Sequence, residues 1–105
     1  MSGPPGVEYR ISGSALVVRG TLSPGEQSPL EQALRRLVDS DFRVVTVDLV
    51  QVDVLCNACA AHITLVLMWL KQRDRGALVR AGRQGFRSLQ TAGAEALAKL
   101  ELVES

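Results

Sequence analysis

Residues 43–76 read RVVTVDLVQVDVLCNACAAHITLVLMWLKQRDRG, and this stretch decides the fold. Its opening, 43–49, is a β-branched run with Thr46 and Asp48 set among valines, which predicts a strand near the centre of a sheet. The chain stays extended through 50–56. From Asn57 to about Asp74 it turns helical, with Asn57 as the expected N-cap and Gly76 as the stop. Cys59, Ile63, Val66, Leu67 and Leu70 form one helical stripe for the sheet to cover. Ala61, Leu65, Met68 and Trp69 form a second, roughly opposed one.

On the N-terminal side, 7–11 and 15–19 are short β-favouring runs joined by Ser12-Gly13-Ser14, the pattern of a hairpin. A loop containing Ser23-Pro24-Gly25 follows, and Ser28-Pro29-Leu30-Glu31 reads as a helix start, with Ser28 capping and Glu31 completing a capping box. That helix runs to about Val38 and buries Leu30, Ala33, Leu34 and Leu37. On the C-terminal side, 77–81 is a fourth strand, 83–91 a third helix presenting Phe86 and Leu89, 94–98 a helical turn, and 100–103 a last strand. Strands alternating with helices require parallel pairings, and the leading hairpin adds an antiparallel edge. The expected class is α/β, a mixed sheet with an N-terminal antiparallel hairpin in the order ββαβαβα(β).

With 105 residues, 47% hydrophobic and 22% charged, the chain has the length and composition of one globular domain, in which Gly3, Pro4, Pro5 and Gly6 mark 1–6 as a flexible N-terminus. The net charge of +1 excludes general coating of polyanions, although residues 71–90 carry Lys71, Arg73, Arg75, Arg80, Arg83 and Arg87 against Asp74 alone. An acidic protein partner is the better use of such a patch, because Tyr9, Phe42, Trp69 and Phe86 are too dispersed to stack bases. The most apolar run, 58–70, is interrupted by His62 and Thr64 and is too short to span a bilayer. Two cysteines without an export signal point to reduced thiols in a cytoplasm. Ten Arg against two Lys fits a GC-rich bacterial genome.

The order of elements, the strand ending in Asp48-Leu49, the extended 50–55, the long apolar helix, and Phe86-Arg87-Ser88-Leu89 with Gly93 together resemble the STAS domain. That domain is shared by sulfate transporters and anti-sigma factor antagonists, and the resemblance covers about residues 7–103. It implies a non-catalytic regulatory module whose partner is an anti-sigma factor or serine-kinase-type regulator. It also implies that the turn before the second helix reads Asp-Ser-Ser-Gly or Asp-Ser-Thr-Gly, with a hydroxyl that the partner phosphorylates. Here the turn reads Cys56-Asn57-Ala58-Cys59, so Ala58 stands at the phospho-acceptor position. A methyl group forms no phosphate ester, and the charge switch that phosphorylation supplies is absent there. The expected docking surface is this loop together with Ala61, His62, Leu65, Met68 and Trp69, which a second copy of the chain would also fit as a homodimer. An alternative within the same fold is the small STAS subunit of a bacterial ABC lipid-transport complex.

Of another class is a thiol-redox protein, since Cys56-x-x-Cys59 at a helix start is the placement of a redox pair. The flanking aromatic and proline residues usual for such a pair are missing. Cys56, Cys59 and His62 fall short of a structural zinc site, because no fourth Cys or His exists. Asp48 and Asp53 neighbour no nucleophile or base, and Gly82-Arg83-Gln84-Gly85 lacks the spacing of a phosphate loop. No catalytic residue, metal or cofactor is expected.

Overall fold

The computed structural model describes residues 6–104, so the expected flexible segment 1–6 lies almost wholly outside the described residues. Two strands, β1 (Glu8–Ser12) and β2 (Ala15–Leu22), are joined by a two-residue turn in which Gly13 has φ +57. That left-handed conformation is strained for other residues, which is why glycine sits there. After a short 3-10 turn at Pro24–Glu26 come α1 (Gln27–Val38), β3 (Val44–Leu55), α2 (Asn57–Gln72), β4 (Gly76–Ala81) and α3 (Arg83–Thr91). A second 3-10 turn, Ala94–Ala96, leads into β5 (Lys99–Leu102). The five strands lie in sequence order, β1–β2 antiparallel and the rest parallel. The mixed α/β sheet expected from the sequence is thus present, with β3 at its centre.

Period-two alternation along the strands sorts side chains onto two faces. One row, Ile11, Leu16, Val47, Val79 and Leu100, runs in register across all five strands, and its three middle members are buried. The helices cover this face with Leu30, Ala33, Leu34 and Leu37 of α1, Cys59, Ile63, Leu67 and Leu70 of α2, and Leu89 of α3. The adjacent row on the opposite face is Arg10, Val17, Asp48, Arg80 and Glu101. There Arg80 bonds Asp48 at 3.2 Å and Glu101 at 3.0 Å, and Asp48 also accepts the Val50 amide at 3.0 Å, so its carboxylate is a structural anchor.

Three boundary expectations are corrected. β3 does not end at Leu49 but continues to Leu55, through two register shifts that pair Arg19 with Gln51 and Leu22 with Leu55. Helix α1 does not start at a Ser28 cap. The Ser23-Pro24 turn begins helical geometry earlier, Glu26 precedes α1 without a side-chain cap bond, and Glu31 pairs with Arg35 at 3.0 Å. Pro29 is still tolerated because the first-turn amides of a helix have no intrahelical acceptor. Helix α2 ends before Gly76: Asp74 takes φ 59, Arg75 N–H donates to the Leu70 carbonyl and Asp74 N–H to that of Lys71. This is the Schellman closure with aspartate in the position glycine usually holds.

Candidate functional site

The start of α2 is held from both sides. Leu55, the last residue of β3, donates its amide to Gln84 Oε1 at 2.7 Å, while its carbonyl accepts from Gln84 Nε2 at 3.0 Å and Ser88 Oγ at 3.2 Å. Gln84 lies in the first turn of α3, so α3 grips the strand end as a backbone partner would. On the other side the Cys56 amide donates to the Leu22 carbonyl at 3.0 Å, extending the β2–β3 ladder by one bond. Cys56 then leaves the strand with extended backbone, and its carbonyl accepts from Ala60 at 3.0 Å, the first bond of the helix.

The cap of α2 is Cys56 and not Asn57. Cys56 Sγ accepts the Cys59 amide at 3.3 Å, whereas Asn57 is already helical and exposed. A side-chain acceptor on the residue before the helix is what the orphan amides of the first turn require, and the extended backbone puts sulfur in that place. Cys59 is buried and donates its thiol to the Ser23 carbonyl at 3.4 Å. Burial, then the neighbouring Cys56 sulfur and Glu26, push the Cys59 thiol up to about 12. Glu26 is itself bonded by the Tyr9 hydroxyl at 3.0 Å, and burial followed by that carboxylate raises the Tyr9 phenol.

Ala58 is the second residue of α2, half-buried, with a methyl side chain. Beyond it the outward side of the helix carries Ala61, exposed, and His62, half-buried with Nε2 4.0 Å from Glu31 Oε2. Leu65, Met68 and Trp69 are 60%, 41% and 37% exposed. Val66, placed with the sheet-facing stripe by its spacing, is only half-buried and turns toward a groove of about 370 Å³ between α1 and α2. Glu31, Arg35, His62, Leu65 and Trp69 line the same groove.

The basic residues at 71–87 run from the last turn of α2 to α3, and several of them are held by partners within the chain. Arg73 stacks on Trp69 at 3.7 Å, and Lys71 donates to the Ala96 carbonyl at 2.7 Å. Arg75 donates to the carbonyls of Val38, Ser40 and Phe42 at 2.6–3.1 Å, and Arg83 pairs with Glu104. Among the described residues no group of three or more His, Cys, Asp or Glu side chains is placed to hold a metal ion. Among the described residues no helix is long and apolar enough to cross a membrane.

Sequence reasoning placed Cys56 to Cys59 at the strand-to-helix turn and missed Gln84, Ser88 and Ser23, which hold that turn. These partners lie 29 to 36 residues away in the chain, and no local signal marks them.

No protein-family model matches the chain, and no curated protein matches it in sequence. Its structure is similar to the crystal structure of an anti-sigma factor antagonist from Mycobacterium paratuberculosis, with a TM-score of 0.68 and 19% identity over 91% of this chain and 84% of that one. The likeness is one of fold: the mixed five-stranded sheet and its three helices have the STAS-like arrangement that the sequence resembles.

Proposed function

We propose that this chain is a non-catalytic regulatory module that binds a protein partner, an anti-sigma factor or serine-kinase-type regulator, through the first turn of α2 and the outward side of that helix. The observation that carries the reading is a continuous exposed stripe on α2, from Asn57 and Ala61 to Leu65, Met68 and Trp69. A helix apolar on both sides buries the second side against another chain, and neighbouring charged residues Glu31 and Arg35 give the stripe a polar rim. The likeness to an anti-sigma factor antagonist supports this partner class over others. With alanine at position 58, the loop docks in a single, permanently unphosphorylated form in the cytoplasm. Contact through Leu65, Met68 and Trp69 would also support a homodimer.

The test combines the purified chain with serine-kinase-type regulators from its source organism in the presence of Mg-ATP. Titration calorimetry is expected to give a complex, and intact mass is expected to show no added phosphate on residues 56–59. Leu65→Asp should weaken the complex tenfold or more. Binding that survives Leu65→Asp unchanged would move the interface elsewhere, and phosphate recovered on 56–59 would end the reading. Binding instead to the ATPase of a lipid-transport ABC complex, with no regulator bound, would favour the alternative within the same fold.

A further inference from the structure

The two sulfurs at the start of α2 differ in burial and are joined by backbone geometry. Cys56 is partly open to solvent and Cys59 is fully buried. Because the Cys59 amide donates to Cys56 Sγ at 3.3 Å, the Cys56 side chain is already folded over the turn toward residue 59. Helical rise and radius place residues three apart about 5 Å from each other at Cα. That separation lies inside the roughly 4.4–6.8 Å range that a disulfide spans.

We propose that Cys56 and Cys59 form an oxidisable dithiol site, in which a hydroperoxide reacts at Cys56 and Cys59 closes an intramolecular disulfide across the first turn of α2. In the first step the Cys56 sulfur attacks a peroxide oxygen, the O–O bond breaks, and the departing oxygen takes up the thiol's proton to leave as an alcohol, or as water from hydrogen peroxide. Cys56 is left as a sulfenic acid. The Cys59 sulfur then attacks the Cys56 sulfur, the S–O bond breaks, and the hydroxyl leaves with the Cys59 proton as water. Two thiols lose two protons and two electrons, and the hydroperoxide accepts both in becoming an alcohol, or water, and a second water.

The surroundings fix the order of the steps. Cys59 is protonated at neutral pH, raised to about 12 by burial and then by the Cys56 sulfur and Glu26, and it is shielded from solvent. The half-buried Cys56 is therefore the entry point. Closing the disulfide also removes the hydrogen that Cys59 donates to the Ser23 carbonyl. The loop between β2 and α1 then loses a tie to α2, beside the residues proposed to dock a regulator. Disulfide formation itself does not depend on that docking.

The full chain is treated with hydrogen peroxide at neutral pH, unfolded, blocked with iodoacetamide, and read by intact mass and peptide mapping. The expected product is two hydrogens lighter, takes up no label at either cysteine, and reverts with dithiothreitol. Cys59→Ala should stop at a Cys56 sulfenic acid that dimedone captures. In the oxidised wild-type protein, the amide resonances of Gly25 and Glu26 should shift, following loss of the bond at Ser23. Cys59 still labelled after peroxide, Cys56 driven to sulfinic acid beside a reduced Cys59, or a disulfide linking two chains would each overturn the proposal. The wild-type readouts stand whether or not the variant folds.

Discussion

Replacing Gln84 with alanine removes the clamp that fixes the end of β3, and its cost follows from the bonds it makes. Leu55 is 1% exposed, and its amide has Gln84 Oε1 as acceptor at 2.7 Å. Truncation leaves that amide buried without a partner, a penalty of about 1–3 kcal/mol. The Leu55 carbonyl keeps Ser88 at 3.2 Å, so losing Gln84 Nε2 adds little. The Gln84 side chain reaches the clamp from the exposed start of α3, where water enters readily. Both facts place the total near about 2 kcal/mol, a fall in Tm on the order of 10 °C for a domain of this size. Urea unfolding at unchanged m-value measures the loss, and amide exchange locates it: Leu55 and Cys56 should lose protection while Val47 at the sheet centre keeps it. A change below about 0.5 kcal/mol, with Leu55 still protected, would refute the clamp and leave α3 with no part in holding the turn.

Leu67 and Leu65 lie two positions apart on α2 at opposite extremes of exposure, 1% and 60%. Leu67→Ala should cost about 2–5 kcal/mol by urea unfolding, and Leu65→Ala less than about 0.5 kcal/mol. Arg75→Ala leaves the carbonyls of Val38, Ser40 and Phe42 without their shared donor and should cost about 1.5–3 kcal/mol. Arg75→Lys should recover only part of this, since one ammonium does not reproduce a planar fork aimed at several carbonyls. The raised Cys59 thiol makes stability fall in alkali. The folded state holds a proton that the unfolded chain releases near its ordinary value of 9, so the contribution is full below 9 and is lost as pH rises toward about 12. Urea titrations between about pH 8 and about pH 10 should show a slope of up to about 1.4 kcal/mol per unit that Cys59→Ala removes.

What was legible in the sequence was whatever depends on near neighbours. The spacing of Leu30, Ala33, Leu34 and Leu37 gave the buried face of α1, and Gly82 followed by 83–91 gave α3 to the residue. The β-branched run at 43–49 identified the central strand because such side chains suit a pleated, covered surface. The errors came where a local rule had a competitor. Two Ser-Pro pairs lie five residues apart, and the earlier one nucleates the helical turn; sequence alone does not rank them. Asparagine is a common cap and cysteine is not, so the sequence points to Asn57, but the strand's extended exit sets the cap one residue sooner, at Cys56. The sequence predicts too short a β3 because the strand's alternation breaks at the register shifts, where the pairing with β2 slips. The site was legible as a strand-to-helix turn with a methyl group at position 58. Its fixing partners were not, because Gln84 and Ser23 reach it only after the sheet has formed.

Amide chemical shifts of the isotope-labelled chain, followed during titration with a bound serine-kinase-type regulator, locate the interface directly. Perturbations should concentrate at 57–69, strongest at Asn57, Ala61, Leu65, Met68 and Trp69, with Arg10, Val17, Arg80 and Glu101 on the opposite sheet face unmoved. Perturbations centred on that sheet face, with α2 silent, would contradict docking through α2.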